Sequence, residues 1–260
     1  TAAGFSQKNE TVDLLARGAD LRLASIRGTR IRGEGTSFAA AVVSGTAAQL
    51  WTLHPEWTAD EVCAALFNTA QAVDGWRVLD PQRTLAVCTA AFSDVSEGAW
   101  YSDAVRWAAE HGIAQSGTGR FAPDAPCTRA EMVTFLYRAA GSPKTARTES
   151  GFADVSAGGA LERAVCWAVE NSVTNGTDAA HFSPDETCTR AQAMTFLHRA
   201  LGLPEGRGSA AFSDVPEGAW YAEAIRWAVG AGVTNGVGEG RFAPNEKCTR
   251  AQIVTLLYRT

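Results

Sequence analysis

Apolar residues from about residue 91 onward recur at helical spacing in three similar blocks. In the first block Trp100, Ala104, Trp107, Ala108 and Ile113 predict one face of a helix, broken at Gly112. A loop through Gly117 and Gly119 then leads to Phe121, Pro123 and a second helix. That helix has an explicit start in every block. Thr128 with Glu131, Thr189 with Gln192 and Thr249 with Gln252 each fit the S/T-x-x-E/Q capping box, in which hydroxyl and carboxyl or amide satisfy orphaned N–H groups. Phe92, Phe152 and Phe212 stand 60 residues apart, as do Trp107, Trp167 and Trp227, so the blocks are copies of one helix–loop–helix unit.

The chain before Phe92 is patterned differently. Arginines at 17, 22, 27, 30 and 32 precede the small-residue run GEGTSFAAAVVSGTAAQLW. Gly33, Gly35, Thr36 and Ser37 predict a tight turn, and Ala39, Ala40, Ala41, Val43 and Ala47 a helix whose small side chains permit close burial. Ser37 then has two readings. It is a plain N-cap, or a serine beside a helix N-terminus, where developing negative charge is favoured.

Composition narrows the classes. A chain of 260 residues allows one large domain or two smaller units, and 46% hydrophobic with 20% charged residues is that of a globular protein. No apolar stretch approaches the roughly 18 residues of a membrane span. The net charge of −5 is spread with both signs interleaved, which argues against a nucleic-acid partner. Thr1 is not a methionine, and the helix predicted over 250–259 ends the chain without a capping Gly or Pro, so an excerpt of a longer protein is expected.

Six cysteines form no C-x-x-C pair, and neither a metal site nor a thioredoxin-like motif is expected. Cys127, Cys188 and Cys248 precede the three caps, where they are expected as small buried residues stapled to Met132, Ala193 and Ile253. The arginine after each cap, Arg129, Arg190 or Arg250, sits where a cation opposes the helix dipole. Either it bonds carbonyls of a neighbouring repeat, or guanidinium and N-terminal amides together form a site for an anion such as carboxylate or phosphate.

The triplicated pattern F-x-D-V, a Trp near a helix start, G-[IV], F-x-P and TRA[EQ], over about residues 91–260, resembles a tandem of S-layer homology domains. The resemblance implies an all-α unit in which three copies assemble with pseudo-threefold symmetry. It further implies non-covalent anchoring to secondary cell-wall polysaccharide, often pyruvylated, in grooves between repeats contacted by Arg129, Arg190 and Arg250. Trp100 and Trp220 are read either as sugar-stacking platforms or as core aromatics. The second copy departs at Ala160, Leu161 and Cys166, where the others have Trp–Tyr and Arg.

The string GTSFAAAVVSG resembles the nucleophile segment of subtilisin-like serine proteases. VDLLARG at 12–18, HPEWTADEVCAALFNTA and WRVLDPQRTL resemble the strand, helix and closing element around it. The resemblance implies an α/β catalytic-domain fragment, mostly helical, with Ser37 as nucleophile and Gly35 and Thr36 shaping an oxyanion turn. Ala41, Val42 and Arg17 depart from the family's usual proline, histidine and proline. The family's Asp and His precede the serine, and only 36 residues do so here. His54, His111, His181 and His198 all follow Ser37 in helix or repeat contexts and read as surface or core residues. No cofactor is implied by these residues, calcium being left to segments of a protease domain outside them.

The expected organisation is a peptidase fragment over 1–90 and repeats over 91–150, 151–210 and 211–260. Its expected setting is extracellular, at a bacterial cell wall, with peptide substrates for the parent protease. The rival readings are a wall-binding protein with a dead protease remnant, and a helical scaffold for protein partners.

Overall fold

The computed structural model describes Gly4 and residues 12–24, 30–89, 92–115, 119–205 and 212–260. Arg27, Gly117 and the repeat starts expected at 91 and 211 lie outside the described residues. The chain forms two compact units, Thr1–Ala90 with Ala109–Gly112, and Ala91–Ala108 with Ile113–Thr260.

In the first unit, β1 (Leu21–Ala24) pairs antiparallel with β2 (Arg30–Gly33), setting Arg22 opposite Arg32. Like charges across a ladder repel, and the Asp20 carboxylate, 2.9 Å from the Arg32 guanidinium, offsets this. Helix α1 (Thr36–Leu53) follows, then α2 (Ala59–Thr69), whose Thr58–Glu61 capping box is complete. A hairpin of β3 (Gln71–Val73) and β4 (Trp76–Val78) turns at Asp74 (φ 49°) and Gly75 (φ 79°), the Asp-Gly pair that a two-residue turn with positive φ requires. Helix α3 (Pro81–Cys88) starts with Asp80 as N-cap and Pro81 in the first turn. Leu50, Trp57, Val62, Ala65, Leu66, Leu79 and Cys88 form the core of this unit.

In the segment 12–18, expected as a strand and turn, the strand is reduced to one parallel bridge between Leu15 and Val78. Leu15 N–H donates to Arg77 O at 2.8 Å, and Leu79 N–H to Leu15 O at 2.7 Å. Parallel strands gain regularity from neighbours and from covered faces, and among the described residues Leu15 has one such neighbour. The unit is accordingly helix-rich with few strands.

The second unit holds two helices per repeat, α4 (Ser102–Glu110) and α5 (Arg129–Ala139), α6 (Ala160–Glu170) and α7 (Arg190–Ala200), and α8 (Ala222–Gly230) and α9 (Arg250–Tyr258), with α5 packed on α6 and α7 on α8 across the repeat boundaries. One continuous core links them, with Phe121, Phe182 and Phe242 at equivalent, fully buried places. Each loop is clamped by the aspartate of F-x-D-V. The Asp94 carboxylate accepts from the N–H groups of Phe121 (2.7 Å) and Ala122 (2.8 Å), Asp154 from Phe182 (2.9 Å) and Ser183 (2.8 Å), and Asp214 from Phe242 and Ala243 (both 2.8 Å).

All three capping boxes of α5, α7 and α9 form, with the Thr hydroxyl accepting from the backbone N–H three residues on. Thr249→Ala removes the Oγ acceptor, and we expect urea unfolding to show a loss of about 1 kcal/mol. An unchanged midpoint would mean that water replaces the cap without cost.

Candidate functional site

Ser37 is the second residue of α1, exposed, with Gly35 as N-cap at φ 150° and ψ 157°, a conformation open to glycine alone. Ser37 is therefore not the N-cap. The turn is held from behind: Gly35 N–H donates to Gly18 O at 2.7 Å, and a Cβ on Gly18 would meet Gly35 O at 2.8 Å. As a first-turn residue Ser37 presents an N–H that has no partner four residues earlier in the helix, the kind of donor a developing oxyanion needs. Ser37, Ala40, Ala41, Ser44, Gly45 and Ala48 form one exposed stripe at spacings of three and four. Only Thr46 and Leu50 of this helix are buried.

The histidines have partners elsewhere. His54 stacks on Trp57 with ring centroids 4.1 Å apart, and His111 Nε2 lies 3.4 Å from Glu61 Oε1. His181 Nδ1 lies 3.0 Å from Asp178, and His198 Nε2 lies 2.8 Å from Pro204 O. None of these arrangements involves Ser37.

In the second unit the segments around the three cysteines meet in a closed ring. Cys127 N–H donates to Cys248 O (2.8 Å), Cys188 N–H to Cys127 O (2.9 Å) and Cys248 N–H to Cys188 O (3.0 Å). The adjoining arginines reach across to the next repeat. Arg129 Nε donates to Phe182 O (2.9 Å), Arg190 Nε to Phe242 O (2.8 Å) and Arg250 Nε to Phe121 O (2.8 Å). Each guanidinium also lies over an aromatic ring: Arg129 over Phe182 and Phe196, Arg190 over Phe242, Arg250 over Phe121 and Phe135.

The N-terminal amides of these helices are spent on the same junctions. Arg129 and Ala130 N–H donate to Glu186 O and Pro184 O, Arg190 and Ala191 to Glu246 O and Pro244 O, and Arg250 and Ala251 to Ala125 O and Pro123 O. An anion site built from amides and guanidinium together is thus not available. The guanidinium alone keeps free donors. Arg129 is 2% exposed with Nη2 lacking a hydrogen-bond partner, whereas Arg250 Nη1 is paired with Glu131 Oε1. Trp100 and Trp220 lie at the surface, each 64% exposed and edge-on to the following tyrosine.

The S-layer homology domain family matches residues 91–133, 151–194 and 211–254, and the subtilase family matches residues 1–85. The chain is a subtilase segment followed by three S-layer homology domains. The chain is similar to a cell surface protein of Thermoanaerobacter kivui, 34% identical over 113 residues, which is 42% of this chain and 15% of that one. It is also similar to a surface-layer 125 kDa protein of Lysinibacillus sphaericus, 37% identical over 99 residues (38% and 8%), and to an S-layer protein of Bacillus thuringiensis subsp. finitimus, 35% identical over 127 residues (48% and 15%). The chain therefore spans less than a sixth of these relatives' length. Such matches place the S-layer homology domains outside the cell, at the cell wall. No helix among the described residues is long and apolar enough to cross a membrane.

The cysteines of the S-layer homology domains are free, and Cys127, Cys188 and Cys248 are fully buried in one core with Met132, Ala193 and Ile253. Burial pushes the Cys188 thiol up to about 12 and the Cys248 thiol to about 11, so both stay protonated and unreactive near neutrality. Among the described residues no group of His, Cys, Asp or Glu could hold a metal ion.

Two sets of residues had no assigned role from sequence. The aspartates of F-x-D-V were visible only as part of a motif, although they precede the phenylalanine of F-x-P by 27, 28 and 28 residues in the three copies. Glu131 was visible only as a capping residue, and its second partner, Arg250, lies 119 residues away.

Proposed function

We propose that this chain belongs to a cell-surface serine endopeptidase of subtilisin type, anchored non-covalently to secondary cell-wall polysaccharide by its three S-layer homology domains. Covalent order carries the reading: a nucleophile segment with a glycine-shaped turn at Ser37 runs directly into three wall-anchoring repeats. Ser37 is the nucleophile, and Gly35 and Thr36 shape the turn that aims it. The uncovered stripe of small residues below Ser37, with Ala40, Ala41, Gly45 and Ala48, supports a larger catalytic domain, because a helix face of such small side chains permits close packing of surrounding structure. In this reading the general base and its orienting carboxylate lie outside these 260 residues, so the purified chain alone does not hydrolyse peptides.

Anchoring rests on a pseudo-threefold unit of repeats at 91–150, 151–210 and 211–260. The closed ring of cysteine-segment hydrogen bonds and the cyclic arginine-to-carbonyl pattern support it. Trp100 and Trp220 offer exposed faces for sugar stacking, and Arg129, Arg190 and Arg250 supply positive charge at the junctions between repeats.

A serine-reactive fluorophosphonate applied to surface extracts of the producing cells tests the catalytic half. The expected result is an adduct on the peptide that contains Ser37, carried by a species heavier than 27.5 kDa. An unlabelled Ser37 peptide favours the wall-binding protein with a dead remnant. Co-sedimentation of the purified chain with wall sacculi tests the other half. Trp100→Ala with Trp220→Ala is expected to weaken retention about tenfold, roughly 1.4 kcal/mol, at unchanged stability. Full retention by this double variant would remove both tryptophans from the binding surface.

A further inference from the structure

Two of the three repeats carry the same short string just past their first helix, Thr174-Asn175-Gly176 and Thr234-Asn235-Gly236. In an Asn–Gly pair the backbone nitrogen is unusually open to the side chain before it, because glycine has no Cβ to shield it. Both asparagines are exposed, and the glycines hold left-handed backbone at φ 85° and 81°. The glycine nitrogens, however, are not open. Gly176 N–H donates to Thr174 Oγ1 and Gly236 N–H to Thr234 Oγ1, each at 3.2 Å. The two threonines are 1% and 5% exposed, so water competes poorly for these bonds. The first repeat makes the same turn, with Ala114 N–H bonded to Ala108 O as Thr174 is to Ala168 O and Thr234 to Ala228 O. There the residues are Ala114 and Gln115, so threonine and Asn–Gly occur together or not at all.

Breaking the threonine bond opens a definite reaction. Hydroxide removes the Gly236 N–H proton, the nitrogen attacks Cγ of Asn235 and forms a C–N bond, and the side-chain nitrogen leaves as ammonia. Water then breaks either ring C–N bond of the cyclic imide, leaving aspartate, or isoaspartate with the chain rerouted through the side-chain carboxyl. The balance is amide plus water to acid plus ammonia. An N–H aimed at a threonine oxygen is neither deprotonated nor turned towards Cγ, so the closed loop does not react. Isoaspartate would add a methylene to the backbone directly before Gly236, where a Cβ would already lie 2.5 Å from Arg241 O and 2.6 Å from the Phe212 ring. At Gly176 the same space is filled by Asp178 O, His181 O and the Phe152 ring, all 2.6 Å away. A loop altered in this way does not close again.

We propose that Asn175 and Asn235 are sites of spontaneous deamidation held in check by the Thr174 and Thr234 hydroxyls, so that opening of either loop is recorded as an aspartyl or isoaspartyl residue that prevents its reclosure. This goes beyond the anchoring reading and does not depend on what the repeats bind.

The test is to age the whole chain in mildly alkaline buffer, with and without unfolding urea, and to follow amide-to-acid conversion and isoaspartate at both asparagines by peptide mass spectrometry. Urea is expected to accelerate both sites in wild type. Thr234→Val keeps the shape of the side chain but removes the acceptor, and is expected to speed conversion at Asn235 about fivefold, the factor one ordinary hydrogen bond supplies, with Asn175 unchanged as internal control. Thr234→Ser restores the hydroxyl and is expected to age as wild type does. A wild-type rate at Asn235 in Thr234→Val, or acceleration of both asparagines alike, overturns the proposal. So does a wild-type chain that ages as fast in buffer as in urea.

Discussion

Gly236→Ala is expected to cost more than about 4 kcal/mol, enough to unfold much of the chain at room temperature. Gly236 sits at φ 81°, in the left-handed region that L side chains avoid, and a Cβ there would lie 2.5 Å from Arg241 O and 2.6 Å from Phe212 Cε1. Neither neighbour can yield cheaply, because Phe212 packs on the core and Arg241 O accepts the Val237 N–H at 2.9 Å. Gly176 is placed alike, against the carbonyls of Asp178 and His181 and the ring of Phe152, and Gly176→Ala is expected to be as severe. Gly232 is the internal control. Its φ is 75°, yet a Cβ there meets nothing within 4 Å, so Gly232→Ala costs only the backbone term of about 1 kcal/mol. Urea unfolding followed by tryptophan fluorescence measures all three. A Gly236→Ala loss no larger than that of Gly232→Ala would mean that the loop does not pack against the phenylalanine as described.

These glycines show what the sequence makes legible and what it withholds. The run TNGVGEG reads at once as a loop, because several glycines interrupt a helical pattern. Which glycine is indispensable depends on Phe212, far upstream, and on a carbonyl across the loop, and neither is local information. Helix starts were legible because a capping box is written within four residues, and the repeat because self-comparison needs no tertiary context. The arginine junctions were not. Their competing readings, carbonyl partners or an anion site built with helix amides, could be separated only once the Glu186, Glu246 and Ala125 carbonyls were seen to occupy those amides. In the first unit a local signal placed the glycine turn at Gly35, just ahead of Ser37. The strand of the strand and turn expected at 12–18 is reduced to a single bridge because a parallel strand is specified by its neighbours, and Leu15 has one among the described residues.

The second large effect is expected in acid, from the three loop clamps. Partial burial pushes the Asp94, Asp154 and Asp214 carboxyls up, but the paired N–H bonds from Phe121 with Ala122, Phe182 with Ser183 and Phe242 with Ala243 outweigh it, with smaller help from Arg120, His181 and Arg241. Each carboxyl is therefore held below its ordinary value near 3.9. A group with a depressed folded value contributes stability that is present above the unfolded value and is lost as pH falls through the folded one. The repeat unit should accordingly be stable from neutrality to about pH 4 and weaken progressively below it. Each clamp also holds a strained residue: Ala122, Ser183 and Ala243 have φ of 56°, 57° and 58°, which a non-glycine residue keeps only when bonded in place. Asp214→Ala deletes both acceptors, leaves the buried Phe242 without its N–H partner and frees Ala243 to relax. We expect a loss of about 3 kcal/mol, the low end for two bonds to a charged group because the Asp214 side chain is 23% exposed. Asp214→Asn keeps one acceptor oxygen and should lose about half as much. Urea midpoints measured from pH 7 to pH 3 separate charge from shape. If the carboxylates cause the acid lability, the Asp214→Ala curve falls less steeply below pH 4 than wild type, whereas parallel curves would assign that lability to other groups.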